Sequence, residues 1–222
     1  MATALIIGAS RGIGLELVTQ YVADGWRVIA TARQAEACAA LTALGAAAHK
    51  LDVTDVEACA GLGWKLDGEE LDVAILNAGV YGPRSDGFPQ QSDFDSVMHT
   101  NVLAAMRLLP IVAPMVGAKR GKLAVLSSRM GSLSERSSPS GSLYRASKAA
   151  LNSVLIDTSL VFGKLGVTCV AFHPGWVRTD MGGDGADLSP QESAAGIRNT
   201  LATVPASETA VYRNYDGSDI GW

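Results

Sequence analysis

Tyr144 and Lys148 stand four residues apart in Tyr144-Arg-Ala-Ser-Lys148. On a helix that spacing is about one turn, so the two side chains share a face. A free phenol titrates near ~10, and a neighbouring ammonium favours the phenolate and lowers that value. Such a pair can give a proton to a reacting oxygen, or take one from it, near neutral pH. The spacing is common by itself. A surface tyrosine beside a surface lysine produces it without any chemistry, so its meaning depends on what else the chain places nearby.

The first apolar run ends in Gly8-Ala-Ser-Arg-Gly12-Ile-Gly14 and leads into a helical stretch. Gly8 lets the chain turn sharply, Gly12 lets backbone approach a pyrophosphate, and Gly14 allows a helix to pack closely on a strand. The helix behind them offers free N–H groups and a partial positive charge to phosphates. Gly8, Ser10, Arg11, Gly12, Ile13 and Gly14 are therefore the expected phosphate cradle of a dinucleotide. The second strand ends in Ala32-Arg33. A carboxylate about 20 residues past the glycines would hold the ribose hydroxyls of NAD. Ala32 occupies that place instead, Arg33 follows it, and Arg11 lies within the glycine turn. Two guanidinium groups suit a 2′-phosphate, so NADP(H) is the expected cofactor. Two solvated surface arginines are the plainer alternative.

These residues need a scaffold, and the chain supplies one. Seven short strand-like runs, 3–7, 27–32, 48–51, 72–76, 122–126, 167–172 and 210–215, alternate with helical stretches at 12–23, 35–44, 56–62, 94–116, 144–165 and 190–202. Several runs are apolar throughout, as parallel strands covered on both faces must be. The alternation predicts an α/β fold, a three-layer, doubly wound, parallel seven-stranded sheet of the Rossmann type. Length and the absence of a linker predict a single domain over 1–222 that carries both cofactor and substrate sites. Pro110 and Pro114 fall inside one helical stretch and are expected to kink or split it. The loops 79–92 and 129–143 follow strand ends, where ligands bind in open α/β sheets.

Composition narrows the function classes. A net charge of −4 gives no basic footprint for nucleic acid. No apolar run approaches the ~20 residues of a membrane span, and the apolar start reads as a first strand rather than a signal peptide. Cys38, Cys59 and Cys169 show no metal spacing. They read as free thiols in a reducing cytoplasm, and no metal site is expected.

The turn G-x-x-x-G-x-G, the tripeptide Asn77-Ala78-Gly79, Ser127-Ser128, Tyr144 to Lys148 and His173-Pro174-Gly175 occur in the order found in the short-chain dehydrogenase/reductase family, which the whole chain resembles. Ile7 stands where the family's pattern has Thr. The stretches 144–148, 173–183 and 215–222 look most like the small C-factor-like carbonyl reductases. The resemblance implies a catalytic set of Asn101, Ser128, Tyr144 and Lys148. Ser128 would hydrogen-bond the substrate carbonyl, Lys148 the nicotinamide ribose, and the Asn101 carbonyl would hold a relay water. Ser127 is expected to make only a local backbone bond. Asp52 and Val53 would contact adenine, and Asn77, Ala78 and Gly79 would line the cofactor. Pro174, Gly175, Val177 and Thr179 would meet its nicotinamide end. His173 takes a structural place, 182–185 would form a mobile lid, and Trp176 and Met181 would either line the pocket or pack inside.

The expected function is NADPH-dependent reduction of a ketone or aldehyde, a small-molecule carbonyl, to an alcohol. The same groups catalyse alcohol oxidation in reverse. The alternative is an NADPH-binding redox-sensing or signalling protein with little turnover, which has no need for all four catalytic residues. Family members often form homo-oligomers by pairing through two long helices, here 94–116 and 144–165, although monomers exist. From Ala32, Arg33 and Arg11, kcat/KM should be several-fold higher with NADPH than with NADH, and a preference for NADH in steady-state assays would contradict the 2′-phosphate assignment.

Overall fold

Every residue of Thr3–Ile7 is buried, and the run divides by parity: Leu5 and Ile7 join one core cluster, Ala4 and Ile6 the other. A strand with apolar contacts on both faces must lie inside a sheet covered on both sides. The computed structural model, which describes residues 1–83 and 88–222, shows that arrangement. The strands β1 (Thr3–Ile7), β2 (Arg27–Ala32), β3 (Ala47–Lys50), β4 (Val73–Leu76), β5 (Lys122–Leu126), β6 (Thr168–His173) and β7 (Val211–Asn214) form one sheet. All six pairings are parallel. The order is β3-β2-β1-β4-β5-β6-β7, so the winding reverses between β1 and β4. The chain has the predicted Rossmann-type fold.

Helices α1 (Gly12–Ala23), α2 (Ala35–Ala43) and α7 (Pro190–Thr203) pack on one face of the sheet. On the other lie α3 (Val56–Lys65), α4 (Gln91–Met98), α5 (Ala104–Ala118) and α6 (Ser142–Phe162). Ser189 caps α7 through a reciprocal capping box with Glu192. Asp55 caps α3 by accepting from two backbone N–H groups. Most boundaries fall within one or two residues of those expected. Helix α3 runs three residues further, and α6 gives way to a 3-10 turn over Gly163–Leu165.

The stretch expected at 94–116 is the main correction. It does not split at its prolines. Helix α5 continues through Pro110 and Pro114, and the interruption is a π turn at His99–Leu103, around Asn101. Both prolines are exposed. The carbonyls they leave without a helical donor, those of Met106 and Pro110, therefore lie on the side open to water. The combined stretch Gln91–Ala118 is long and apolar enough to cross a membrane by length and composition, although sequence reading found no such run. Its apolar stripe is a core face: Leu108, Leu109, Val112 and Val116 are buried against the sheet. The expected loop 79–92 ends where α4 begins, and its residues 84–87 lie outside the described ones.

Truncating the buried face of α5 should be costly and truncating its exposed face should not. Leu108→Ala is expected to lower the unfolding free energy by about 2–5 kcal/mol. Met106→Ala, at a side chain 53% exposed, should change it by about 0.5 kcal/mol or less. Urea denaturation followed by circular dichroism measures both.

Candidate functional site

The β1–α1 turn is shaped by approaches that only glycine permits. Gly8 has φ +88°, and a Cβ on it would lie 2.8 Å from Ala78 backbone atoms. A Cβ on Gly14 would lie 2.4 Å from the Gly8 carbonyl oxygen. Asn77 Nδ2 donates to that carbonyl at 2.5 Å, and Gly8 N–H donates to Thr31 Oγ1 at 3.1 Å. The ends of β1, β2 and β4 are thereby tied together at the reversal of strand order. Helix α1 starts at Gly12 with no side-chain cap and no acidic residue in its first turn. Its N–H groups are open to an anion.

A cavity of about 450 Å³ opens over this turn. Ser10, Arg11, Gly12 and Ile13 line it from the turn, Arg33 from just past β2, and Asp52 and Val53 from the segment that follows β3. Asn77, Ala78 and Gly79 line its middle, and Tyr144, Lys148, Pro174 and Thr179 its far end. Ser127 lines it as well, whereas Gly14, Asn101, Ser128, Gly175 and Val177 are not among its lining residues. Gly175 has φ +85° and packs against Leu188, while Val177 bridges to the same residue. Ala32 is buried beside Arg33. Arg11 pairs with Asp180 at 2.7 Å, both side chains being more than 70% exposed. Screening leaves such a pair with at most about 1 kcal/mol, so Arg11 can be recruited by another anion. Asp52 Oδ1 accepts from Thr54 N–H at 2.9 Å and Thr54 Oγ1 at 2.7 Å, which holds its carboxyl below the usual range.

At the far end, α6 holds the end of β5 with three side chains spaced four residues apart. Tyr144 hydrogen-bonds the Ser128 hydroxyl. Lys148 Nζ donates to the Leu126 carbonyl at 2.7 Å. Asn152 Oδ1 accepts from Ser127 Oγ at 2.6 Å. Ser127 thus reaches across to α6, contrary to the local backbone bond expected of it. Tyr144, Lys148, Asn152, Ser127 and Ser128 are all buried. Burial lowers Lys148 to about 8. It also pushes the Tyr144 phenol well above its ordinary value, against the pull of the Ser128 bond. The expected lowering by an adjacent ammonium does not prevail. Lys148 Nζ lies 5.6 Å from the Tyr144 ring centroid, and desolvation is the larger effect.

Asn101 sits in the π turn, and its side chain acts as a clamp. Oδ1 accepts from Val80 N–H and Nδ2 donates to the Val80 carbonyl, both at 2.8 Å, while Nδ2 also donates to Ser147 Oγ at 2.9 Å. The clamp sets Tyr81, whose ring stacks on that of Tyr144 with centroids 4.6 Å apart and planes 26° apart. Sequence reading missed Tyr81 and Asn152. Asn152 was detectable, since it continues the four-residue spacing of Tyr144 and Lys148. Tyr81 carried no local signal.

Around the expected lid, Gly182 N–H donates to Thr179 Oγ1 at 3.2 Å and Gly183 N–H to the Thr179 carbonyl at 2.8 Å. Trp176 Nε1 donates to the Gly182 carbonyl at 2.9 Å, and Trp176 and Met181 are partly exposed rather than packed in the core. His173 Nδ1 is buried without a hydrogen-bond partner among the described residues. Among those residues no group of three His, Cys, Asp or Glu is placed to hold a metal ion.

The profile of the family described as short chain dehydrogenase matches residues 2–187. The chain is 30% identical over 236 residues to the 1-hydroxy-2-glutathionyl-2-methyl-3-butene dehydrogenase of Rhodococcus sp. (strain AD45), with all of both chains covered. It is 33% identical over 156 residues to the C-signal protein of Myxococcus xanthus, covering 68% of this chain and 93% of that one. Among solved structures, a carbonyl reductase from Pseudomonas aeruginosa PAO1 in complex with NADP superposes with a TM-score of 0.88 at 34% identity, over the whole of both chains. The chain belongs to the short-chain dehydrogenase family and is an oxidoreductase of that type.

Burial, aided by the Arg129 charge, lowers His173 to about 4 from an ordinary value of 6.5. The unfolded chain therefore binds more protons in that interval. Stability should be fully present above pH 6.5 and should fall as the pH drops towards 4. His173→Asn should flatten this slope in urea midpoints measured across the same range.

Proposed function

We propose that this member of the short-chain dehydrogenase family is an NADPH-dependent carbonyl reductase that converts a ketone or aldehyde to an alcohol. The observation that carries the reading is the Tyr144–Ser128 hydroxyl pair beside Lys148, at the end of the cleft opposite Arg11 and Arg33. The cleft fits the dinucleotide. Gly8 and Gly12 present backbone without a Cβ, α1 offers free N–H groups, and no carboxylate stands at Ala32 to repel a 2′-phosphate. The NADP-bound reductase of P. aeruginosa supports the same cofactor.

NADPH bound there would supply the hydride. Arg33, with Arg11 released from Asp180, would hold the 2′-phosphate. Lys148, which carries its charge below about pH 8, would bind the nicotinamide ribose. Ser128 Oγ accepts the Met130 N–H at 3.2 Å, and its own hydrogen would turn from Tyr144 to the substrate oxygen when substrate binds. Tyr144 gives its proton to the oxyanion as charge develops there. Its raised pKa keeps the phenol protonated at neutral pH, the form that reduction requires. Asn101 fixes the wall beside Lys148: a Cβ on Gly79 would lie 3.3 Å from both Asn101 Oδ1 and Lys148 Nζ. A proton relay from Lys148 would begin at a water held by the Asn101 backbone carbonyl.

The three free cysteines suit the reducing cytoplasm. Exposed Met106 on α5 and exposed Leu160 and Val161 on α6 suit pairing of two copies through these helices.

Loss of NADPH absorbance with a panel of ketones, aldehydes and diketones tests the reading. Tyr144→Phe should remove nearly all turnover while leaving NADPH binding intact. Retained turnover would refute the acid role. Tight NADPH binding without oxidation across the whole panel would favour a sensing or signalling protein.

A further inference from the structure

Tyr212 on β7 is a buried phenol with no part in the chemistry above. It is 2% exposed, and its hydroxyl donates to the Ser128 carbonyl. The side chains of Ser127 and Asn152 also hydrogen-bond it. Trp222 packs on its ring with centroids 5.1 Å apart. Burial raises its pKa, so it stays a protonated donor throughout the neutral range.

Ser128 needs such support. The β5–β6 register ends at Leu126 opposite Phe172, so the sheet ladder does not hold Ser128. It is an extended residue capping the 3-10 turn Arg129–Gly131. Its carbonyl receives two donors, Tyr212 and the Gly131 N–H at 2.7 Å. Its Oγ is held by Met130 N–H on one side and Tyr144 on the other. Fixing both the carbonyl and the side-chain oxygen fixes the direction in which the hydroxyl points. A residue serving only to fill space at position 212 would gain nothing from a hydroxyl, since an unpaired buried one is costly.

We propose that Tyr212, together with Asn152, is a positioning residue for the reaction, holding the Ser128 hydroxyl at the geometry from which it meets the substrate carbonyl. The proposal rests on the reductase reading, in which Ser128 donates to that carbonyl. Tyr212 acts through Ser128 and does not itself reach the substrate.

A double-mutant cycle with Ser128 separates this role from simple stabilisation. Tyr212→Phe keeps the ring and leaves the Ser128 carbonyl its Gly131 donor. With NADPH and a carbonyl from the panel that the unsubstituted enzyme reduces, kcat should fall about tenfold through misplacement, with KM for NADPH unchanged. Ser128→Ala alone should lower kcat by about 100-fold. Adding Tyr212→Phe to Ser128→Ala should change kcat by less than roughly twofold, because the group it positions is gone. A kcat near the unsubstituted value for Tyr212→Phe, or the same fall repeated in the Ser128→Ala background, overturns the proposal. Should Tyr212→Phe lose NADPH binding, Asn152→Ser taken through the same cycle decides by the same outcomes. If the unsubstituted enzyme reduces nothing in the panel, the reductase reading fails, and a crystal structure of Tyr212→Phe decides instead. Ser128 Oγ turned away from Met130 N supports positioning, and Ser128 Oγ still bonded to it overturns it.

Discussion

Lys148 Nζ donates to the Leu126 carbonyl at 2.7 Å, at a site where the lysine is 3% exposed. An ammonium left without partners there would carry a large desolvation cost. The strand-end carbonyl answers part of it, and the bond thereby fixes how α6 lies against β5. The neighbouring turns of α6 follow from that contact. Tyr144 comes to Ser128 and Asn152 to Ser127, while Leu151, Val154 and Leu155 on the same helix enter the core. A single helix face thus carries both the proposed acid and the contacts that hold it in place.

Burial acts on the two titrating groups in opposite directions because one is charged when protonated and the other when deprotonated. Lys148 falls to about 8 and the Tyr144 phenol rises. Both groups remain protonated at neutral pH. The outer end of the cleft lies under a different regime. Arg11, Asp180 and Arg33 stand in solvent, where screening makes their attractions weak and exchangeable. Firm geometry at the Tyr144 end and loosely held charge at the Arg11 end suit the proposed reductase, which would orient a reaction at one and admit and release a large anion at the other.

The two ends meet because the sheet reverses its winding between β1 and β4. At that point the helices that follow the strands leave to opposite faces, which opens a crevice at the strand C-termini. Gly8, Asn77 and Thr31 close the floor of the crevice through hydrogen bonds between strand ends. The π turn at His99–Leu103 supplies its wall by presenting the Asn101 side chain to Val80 and Ser147. Interruption of α-helical pairing at that turn is a positional device rather than a fault in the helix.

The sequence alone determined what depends on short-range order. Runs of apolar residues placed the strands, the glycine spacing placed the phosphate turn, and the four-residue interval put Tyr144 and Lys148 on one face. Ala32 and Arg33 were legible for the same reason, since the end of a strand fixes which residue faces the crevice. Tertiary structure alone decided whatever joins residues distant in the chain. The break in the long helix fell at Asn101 and not at Pro110 or Pro114, because Asn101 has partners at Val80 and Ser147 and the prolines face water. Ser127 found Asn152, Tyr81 stacked on Tyr144, and Tyr212 reached Ser128 from the far edge of the sheet. The sign of the Tyr144 shift was settled in the same way. Spacing shows that a lysine is near, but the competing effect of desolvation depends on how much of the fold surrounds the phenol, and no local pattern contains that quantity.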